Sequence, residues 1–68
     1  MIDTNDKKRK ELIANYKKYW FNELRLGTTM EELELEISIC EFIEDYEQCE
    51  GIIQAKKEFK EYLKLLDL

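Results

Sequence analysis

The sequence contains no histidine and no proline, and its 68 residues include only two glycines and two cysteines. Without histidine the chain lacks the commonest general base of enzymes and the commonest metal ligand. Two cysteines are too few for a four-thiolate zinc site or for a disulfide-rich secreted scaffold. The glycines, Gly27 and Gly51, stand alone, so no glycine-rich loop is available to hold a phosphate group. These absences exclude most classes of enzyme and of metal-binding domain.

The carboxylates and thiols that are present do not form a recognisable catalytic or metal-binding set. An EF-hand loop beginning at Asp45 would need an oxygen ligand and then a glycine where the chain has Cys49 and Glu50. Cys40 and Cys49 have no basic neighbour to lower a thiol pKa, and we interpret both as small buried hydrophobic residues. On one shared helix they would lie about 13 Å apart, too far for a disulfide. We therefore expect a protein that is not an enzyme, with no catalytic residue, no cofactor and no metal.

The charges are strongly segregated along the chain, although sixteen acids and eleven bases give a net charge of only −5. Residues 1–27 carry seven bases and four acids, and residues 51–68 carry four bases and three acids. Residues 28–50 carry nine acids and no base. Such a segment creates a negative potential that attracts a basic partner over a long range.

Apolar residues recur at helical spacing through the whole chain and predict a single all-α domain over residues 1–68. The expected helices cover about residues 5–26, 30–47 and 51–67. Gly27 is a stop signal, and Thr29 with a glutamate three residues later fits a capping box. The predicted fold is a small three-helix bundle. The alternative is a helical hairpin whose long second helix continues through Gly51 and dimerises into a four-helix bundle.

The second predicted helix has two apolar stripes, which indicate packing on two neighbours and therefore a central position in the bundle. We expect the first stripe, which includes Leu35 and Phe42, to lie in the core. Its members are Leu35, Ile39, Phe42, Tyr46, Cys49 and Ile53. The second stripe consists of Leu33, Ile37 and Cys40.

The predicted partner-binding residues combine the acidic segment with a run of three aromatic residues. Consecutive aromatic side chains point in directions spread over about 200° of a helix, so they do not all face one core. We expect one of them to remain exposed as an apolar anchor, as aromatic residues often do at interfaces. For Phe21 the alternative is packing against the third helix. The predicted set is Glu31, Glu34, Glu41, Glu44, Asp45, Tyr19, Trp20 and Phe21.

These features predict a small, acidic, non-enzymatic interaction module that binds and regulates or inhibits another macromolecule. The expected partner is a protein with a basic surface, to which the acidic face presents a phosphate-like row of charges. A chain of this length buries little apolar surface, so we also expect a homodimer or other homo-oligomer.

Two other functions and the location of the protein follow from the same residues. One alternative is a structural self-assembly unit, and the other is a weak nucleic-acid binder through the bases of the first helix. Nucleic acid is disfavoured because the neighbouring acidic segment repels phosphate. The basic run from Lys7 to Lys10 is not followed by the apolar segment of a signal peptide, and no apolar run has membrane length. We expect a cytoplasmic protein that does not bind membranes.

Overall fold

The computed structural model describes residues 4–66 and, within that range, contains three helices and no strand. The helices are α1 (Thr4–Arg25), α2 (Met30–Phe42) and α3 (Tyr46–Leu66). This arrangement confirms the all-α class and the three-helix bundle expected from the sequence. The last residue of the predicted third helix, Asp67, lies outside the described residues.

The turn between α1 and α2 contains the two features from which it was predicted, Gly27 and the capping box of Thr29 and Glu32. Gly27 has a φ of 118°, and its N–H donates to the carbonyl of Leu24 over 3.2 Å. The N–H of Thr28 donates to the carbonyl of Glu23 over 3.0 Å, which completes a Schellman motif at the end of α1. Thr29 and Glu32 then exchange two hydrogen bonds of 3.1 Å, so the predicted capping box is formed at the start of α2.

The turn between α2 and α3 lies earlier than the sequence predicted, because a glutamate takes the position that usually belongs to glycine. Glu44 has a φ of 61°, and its N–H donates to the carbonyl of Glu41 over 3.2 Å. The N–H of Asp45 donates to the carbonyl of Cys40 over 2.8 Å. These bonds form a second Schellman motif. The predicted boundaries at residues 47 and 51 were therefore wrong, and the continuous long helix is excluded.

Gly51 lies inside α3 and is buried at a close approach between α3 and α1. A Cβ atom at this position would lie 2.5 Å from Tyr16 Cβ, 3.0 Å from the backbone nitrogen of Lys17 and 3.1 Å from the carbonyl oxygen of Ile13. Glycine is needed here because there is no room for a side chain, and not because the helix ends.

The central helix is α3, which packs against both α1 and α2, whereas α1 and α2 contact each other much less. The two longer helices run parallel, since Arg9 pairs with Glu47 over 3.2 Å and the ring of Phe21 contacts that of Phe59 further along both helices. The expectation that the second helix is central was wrong. Helix α2 has only α3 as an extensive neighbour.

The core contains the second predicted stripe and, of the first stripe, Cys49, which belongs to α3. Leu33 and Cys40 are fully buried, and Ile37 packs against them. Leu35 and Phe42 are 64% and 89% exposed, so their predicted place in the core was wrong. A helix with one extensive neighbour buries one face, and in α2 that face meets α3. The buried core cluster is Leu24, Leu33, Cys40, Cys49 and Ile52.

Replacing Gly51 by alanine is expected to destabilise the protein by about 1–3 kcal/mol through overpacking. At an exposed position inside a helix the same change would stabilise by up to about 1 kcal/mol. The added methyl group would meet backbone atoms of α1 and the Cβ of Tyr16, which no change of rotamer can move. Urea unfolding followed by circular dichroism measures the difference. An increase in stability would contradict the close approach of α1 and α3.

Replacing Leu33 by alanine is expected to cost about 2–5 kcal/mol, because it removes a fully buried side chain from the core. The matched control is Leu65→Ala at a position that is 70% exposed, where the change should stay within about 0.5 kcal/mol. Urea unfolding of both variants compares the two costs. Similar losses at the two positions would contradict the assignment of the core.

Candidate protein-interaction surface

Four glutamates on α2 and on the turn that follows it are exposed, and we name them the acidic surface: Glu31, Glu34, Glu41 and Glu44. Glu34 and Glu41 are seven residues apart and therefore lie on one face of the helix. Glu34 forms an ion pair of 3.4 Å with Lys56 of α3. No cation of the described residues lies within ion-pair distance of the other three. The acidic surface is thus largely uncompensated inside this part of the chain.

Asp45, the fifth predicted acidic contact, has a structural task at the start of α3. Its carboxylate accepts a hydrogen bond from the backbone N–H of Gln48 over 3.4 Å and from the side-chain amide of Gln48 over 3.0 Å. This is the geometry of an N-terminal cap, and it satisfies a backbone donor that the helix leaves without a partner. Asp45 is also less exposed than the four glutamates.

The three consecutive aromatic residues of α1 have different environments. Trp20 is half-buried against the core and donates its indole N–H to Gln48 over 3.3 Å. Phe21 is half-buried, with ring centroids 5.7 Å from those of Phe59 and Tyr62, so the packing alternative describes its position. Tyr19 is 55% exposed and contacts Trp20 edge to face. Tyr19 is therefore the most exposed of the three.

An open cleft of about 600 Å³ lies between α1 and α2, with Gln48 of α3 among its lining residues. Glu36 is the α2 residue in this lining, and none of the acidic-surface glutamates takes part. Sequence reasoning missed Glu36, although its spacing from Leu33 and Cys40 places it beside the buried stripe. The cleft is lined by Leu12, Asn15, Tyr16, Tyr19, Trp20, Glu36 and Gln48.

A row of exposed apolar side chains follows the outer side of α2 and its final turn, and we name it the α2 stripe: Leu35, Ile39, Phe42 and Ile43. Ile39 and Ile43 lie three and seven residues after Glu36, so this side of the stripe borders the cleft. Sequence reasoning found most of these residues by their periodicity but assigned them to the core. Periodicity identifies an apolar face without showing whether a neighbour covers it.

The two cysteines lie on different helices and are buried in the core as free thiols. The separation of about 13 Å applied only to one shared helix and is not found, because α2 ends before Cys49 and the two thiols lie within hydrogen-bond distance of each other. Burial, followed by the nearby Cys49 and acidic side chains, raises the pKa of Cys40 from 9.0 to about 11. Burial also raises the pKa of Cys49, whose thiol donates to the carbonyl of Ile37 over 3.6 Å. Both groups are thiols and not thiolates at neutral pH, which makes them poor nucleophiles.

The bases of α1 partly serve the bundle itself. Arg9 pairs with Glu47, and Lys17 pairs with Glu58 over 3.3 Å, so both connect α1 to α3. Lys10 pairs with Asp6 on the same helix over 3.4 Å. Surface pairs of this kind contribute little individually, about 0–1 kcal/mol each. They nevertheless use three of the bases that a nucleic-acid site would need.

Comparison with protein-family models, with curated proteins and with solved structures finds no match to this chain. Within residues 4–66, no helix combines the length and the apolar character that crossing a bilayer requires. In the same range, no group of three or more acidic or cysteine side chains has an arrangement suited to holding a metal ion.

The stability of the fold is expected to fall as the pH rises from about 9 to about 11. An unfolded Cys40 releases its proton near pH 9, whereas the buried thiol keeps its proton until about pH 11, so the unfolded state loses protons first. Urea unfolding at pH 8, 9.5 and 10.5 measures the effect. A Cys40→Ala variant is the control for the contribution of all other ionisable groups. Its free energy of unfolding should fall less between pH 8 and pH 10.5 than that of the natural chain. Equal losses would contradict the burial of Cys40.

Proposed function

We propose that this chain is a non-enzymatic interaction module that binds a macromolecule with a basic surface and regulates or inhibits it by occupying that surface. The observation that carries the proposal is the acidic surface on α2, of which only Glu34 has a cation at ion-pair distance within the described residues. Rows of such carboxylates present a phosphate-like charge pattern and speed association with basic partners through long-range attraction.

The position of two of these glutamates supports a role in binding over a role in stability. Glu41 lies in the last turn of α2 and Glu44 directly after the helix, where the helix dipole favours cations and disfavours anions. No base occupies the last turn of α2 to compensate them. Like charges spaced this closely cost a few tenths of a kcal/mol in a helix. A lysine or arginine from a partner would compensate the two carboxylates and the negative end of the helix dipole together.

The proposed location is the cytoplasm, because a small domain with only two cysteines lacks the dense disulfides typical of small secreted domains. Both are free thiols in the structure and both belong to the core cluster, where they contribute to apolar packing. A reducing compartment keeps such thiols free.

Self-association is a second candidate function, and the accessible surface of the chain favours it. The surface measures 5509 Å², whereas a compact monomer of 8.3 kDa is expected to expose about 4,600 Å². The bundle is extended, with principal extents of 47 × 27 × 15 Å, and the excess surface includes the exposed apolar residues Leu35, Ile39 and Phe42 of α2. A homodimer would accordingly cover the apolar residues that α3 does not reach.

The proposed function predicts that a Glu41→Lys/Glu44→Lys variant loses a basic partner that the natural chain captures from its native cell. Asp45 is left unchanged because its carboxylate caps α3. The matched control is Glu11→Lys/Glu61→Lys, which changes the net charge equally at exposed positions outside the acidic surface. Quantitative mass spectrometry compares the proteins retained by the three baits, and calorimetry with the purified partner measures affinity at two salt concentrations.

The expected result is capture by the natural chain and by the control, loss of binding by the variant, and weaker binding at high salt. Circular dichroism of both variants establishes that α2 is still folded. If the same proteins bind all three baits equally, or if the captured partner is acidic, the acidic surface is not the binding site.

A further inference from the structure

The thiols of Cys40 and Cys49 face each other across the turn between α2 and α3. Cys40 lies in the last turn of α2 and Cys49 in the first turn of α3, and both belong to the buried core cluster. The two thiols lie within hydrogen-bond distance of each other. Because the Cys49 thiol donates to the carbonyl of Ile37 over 3.6 Å, its sulfur is free to accept from the thiol of Cys40.

The backbone of the turn holds the two cysteines in this position. The N–H of Asp45 donates to the carbonyl of Cys40 over 2.8 Å, and the carbonyl of Asp45 accepts from the N–H of Cys49 over 3.1 Å. One residue of the turn therefore connects the main chains of both cysteines, while its carboxylate caps α3 at Gln48. Two thiols that are held together in this way have a high effective concentration for each other.

We propose that Cys40 and Cys49 form a reversible disulfide that joins α2 to α3 when a small-molecule disulfide such as glutathione disulfide oxidises the chain. This proposal does not rest on the binding function proposed above. Disulfides of cytosolic proteins, where they form, are usually transient and respond to the redox state of the cell. The bond closes a loop of about ten residues that includes Glu41 and Glu44 of the acidic surface. Oxidation therefore links this part of the acidic surface covalently to α3.

The reaction consists of two thiol–disulfide exchanges. Cys49 is 6% exposed and Cys40 is fully buried, so Cys49 reacts first. Its thiolate attacks one sulfur of glutathione disulfide, a bond forms to Cys49, and one glutathione leaves with the electron pair and takes up a proton. The thiolate of Cys40 then attacks the Cys49 sulfur and releases the second glutathione. The chain loses two hydrogens and two electrons in total, and glutathione disulfide is reduced to two thiols.

The test is the equilibrium between dithiol and disulfide in glutathione buffers, measured for the folded chain and for the chain unfolded in urea. Both the reduced and the oxidised chain serve as starting material, because buried thiols react slowly. Mass spectrometry after acid quenching and alkylation counts the free thiols. It distinguishes an internal disulfide, which lacks two hydrogens, from a mixed disulfide, which carries glutathione.

The matched control is Cys40→Ala/Phe42→Cys, which moves one thiol two positions along α2. The new thiol points about 200° away from the position of Cys40, at a residue that is 89% exposed. Both thiol pairs close loops of similar length in the unfolded chain, so they differ in how the folded chain orients them. Circular dichroism checks that the variant is folded. The comparison of folded and unfolded natural chain tests the proposal even where the variant is not.

For the natural chain, we expect the equilibrium constant of disulfide formation to be about 100-fold larger in the folded than in the unfolded state. Urea unfolding should show the same factor between the folding equilibrium constants of the oxidised and reduced chains, because the two equilibria form one thermodynamic cycle. The control should show no gain on folding. The proposal is overturned by a natural chain whose constant does not rise on folding, by mixed or intermolecular disulfides as its main products, or by an equal gain in the control.

Discussion

The close approach of α1 and α3 at Gly51 is the constraint on which the rest of the structure depends. With no side chain at this position, the backbone of α3 can lie against Ile13, Tyr16 and Lys17 of α1. The two helices then run parallel at short distance, and their aromatic rings meet further along. Because α1 occupies one side of α3, α2 packs on another side and closes the core with Leu33 and Cys40. A larger residue at position 51 would separate the two long helices and disturb this whole arrangement.

The two turns use the same hydrogen-bond motif with different residues at the left-handed position. The first has Gly27, for which a positive φ costs nothing, and the second has Glu44, for which it costs about 1–2 kcal/mol. The residue with this unfavourable φ, Glu44, belongs to the acidic segment and lies three residues after Glu41. Backbone strain is often retained where a residue has a functional task, which agrees with the proposed role of the acidic surface.

The helices and their first boundary could be predicted because those signals are local. Apolar spacing, the absence of proline, Gly27 and the Thr29–Glu32 capping box act within a few residues of each other. The second boundary could not be predicted, since Glu44 is an ordinary helix-forming residue and Gly51 resembles a breaker. Of the predicted contact residues, the four glutamates are exposed, whereas Asp45, Trp20 and Phe21 are partly used by the fold.

The sequence by itself determined the helical class, the segregation of charge and the absence of histidine chemistry, because these depend on residue type and on short-range spacing. Only the tertiary structure decided which apolar stripe of α2 is buried, because both stripes have the same periodicity and the position of α3 selects between them. The tertiary structure also decided that Gly51 allows a close helix contact and does not end a helix, because its neighbours lie 34 to 38 positions earlier in the chain. Contacts between residues so far apart depend on the packing of whole helices, which local propensity does not encode.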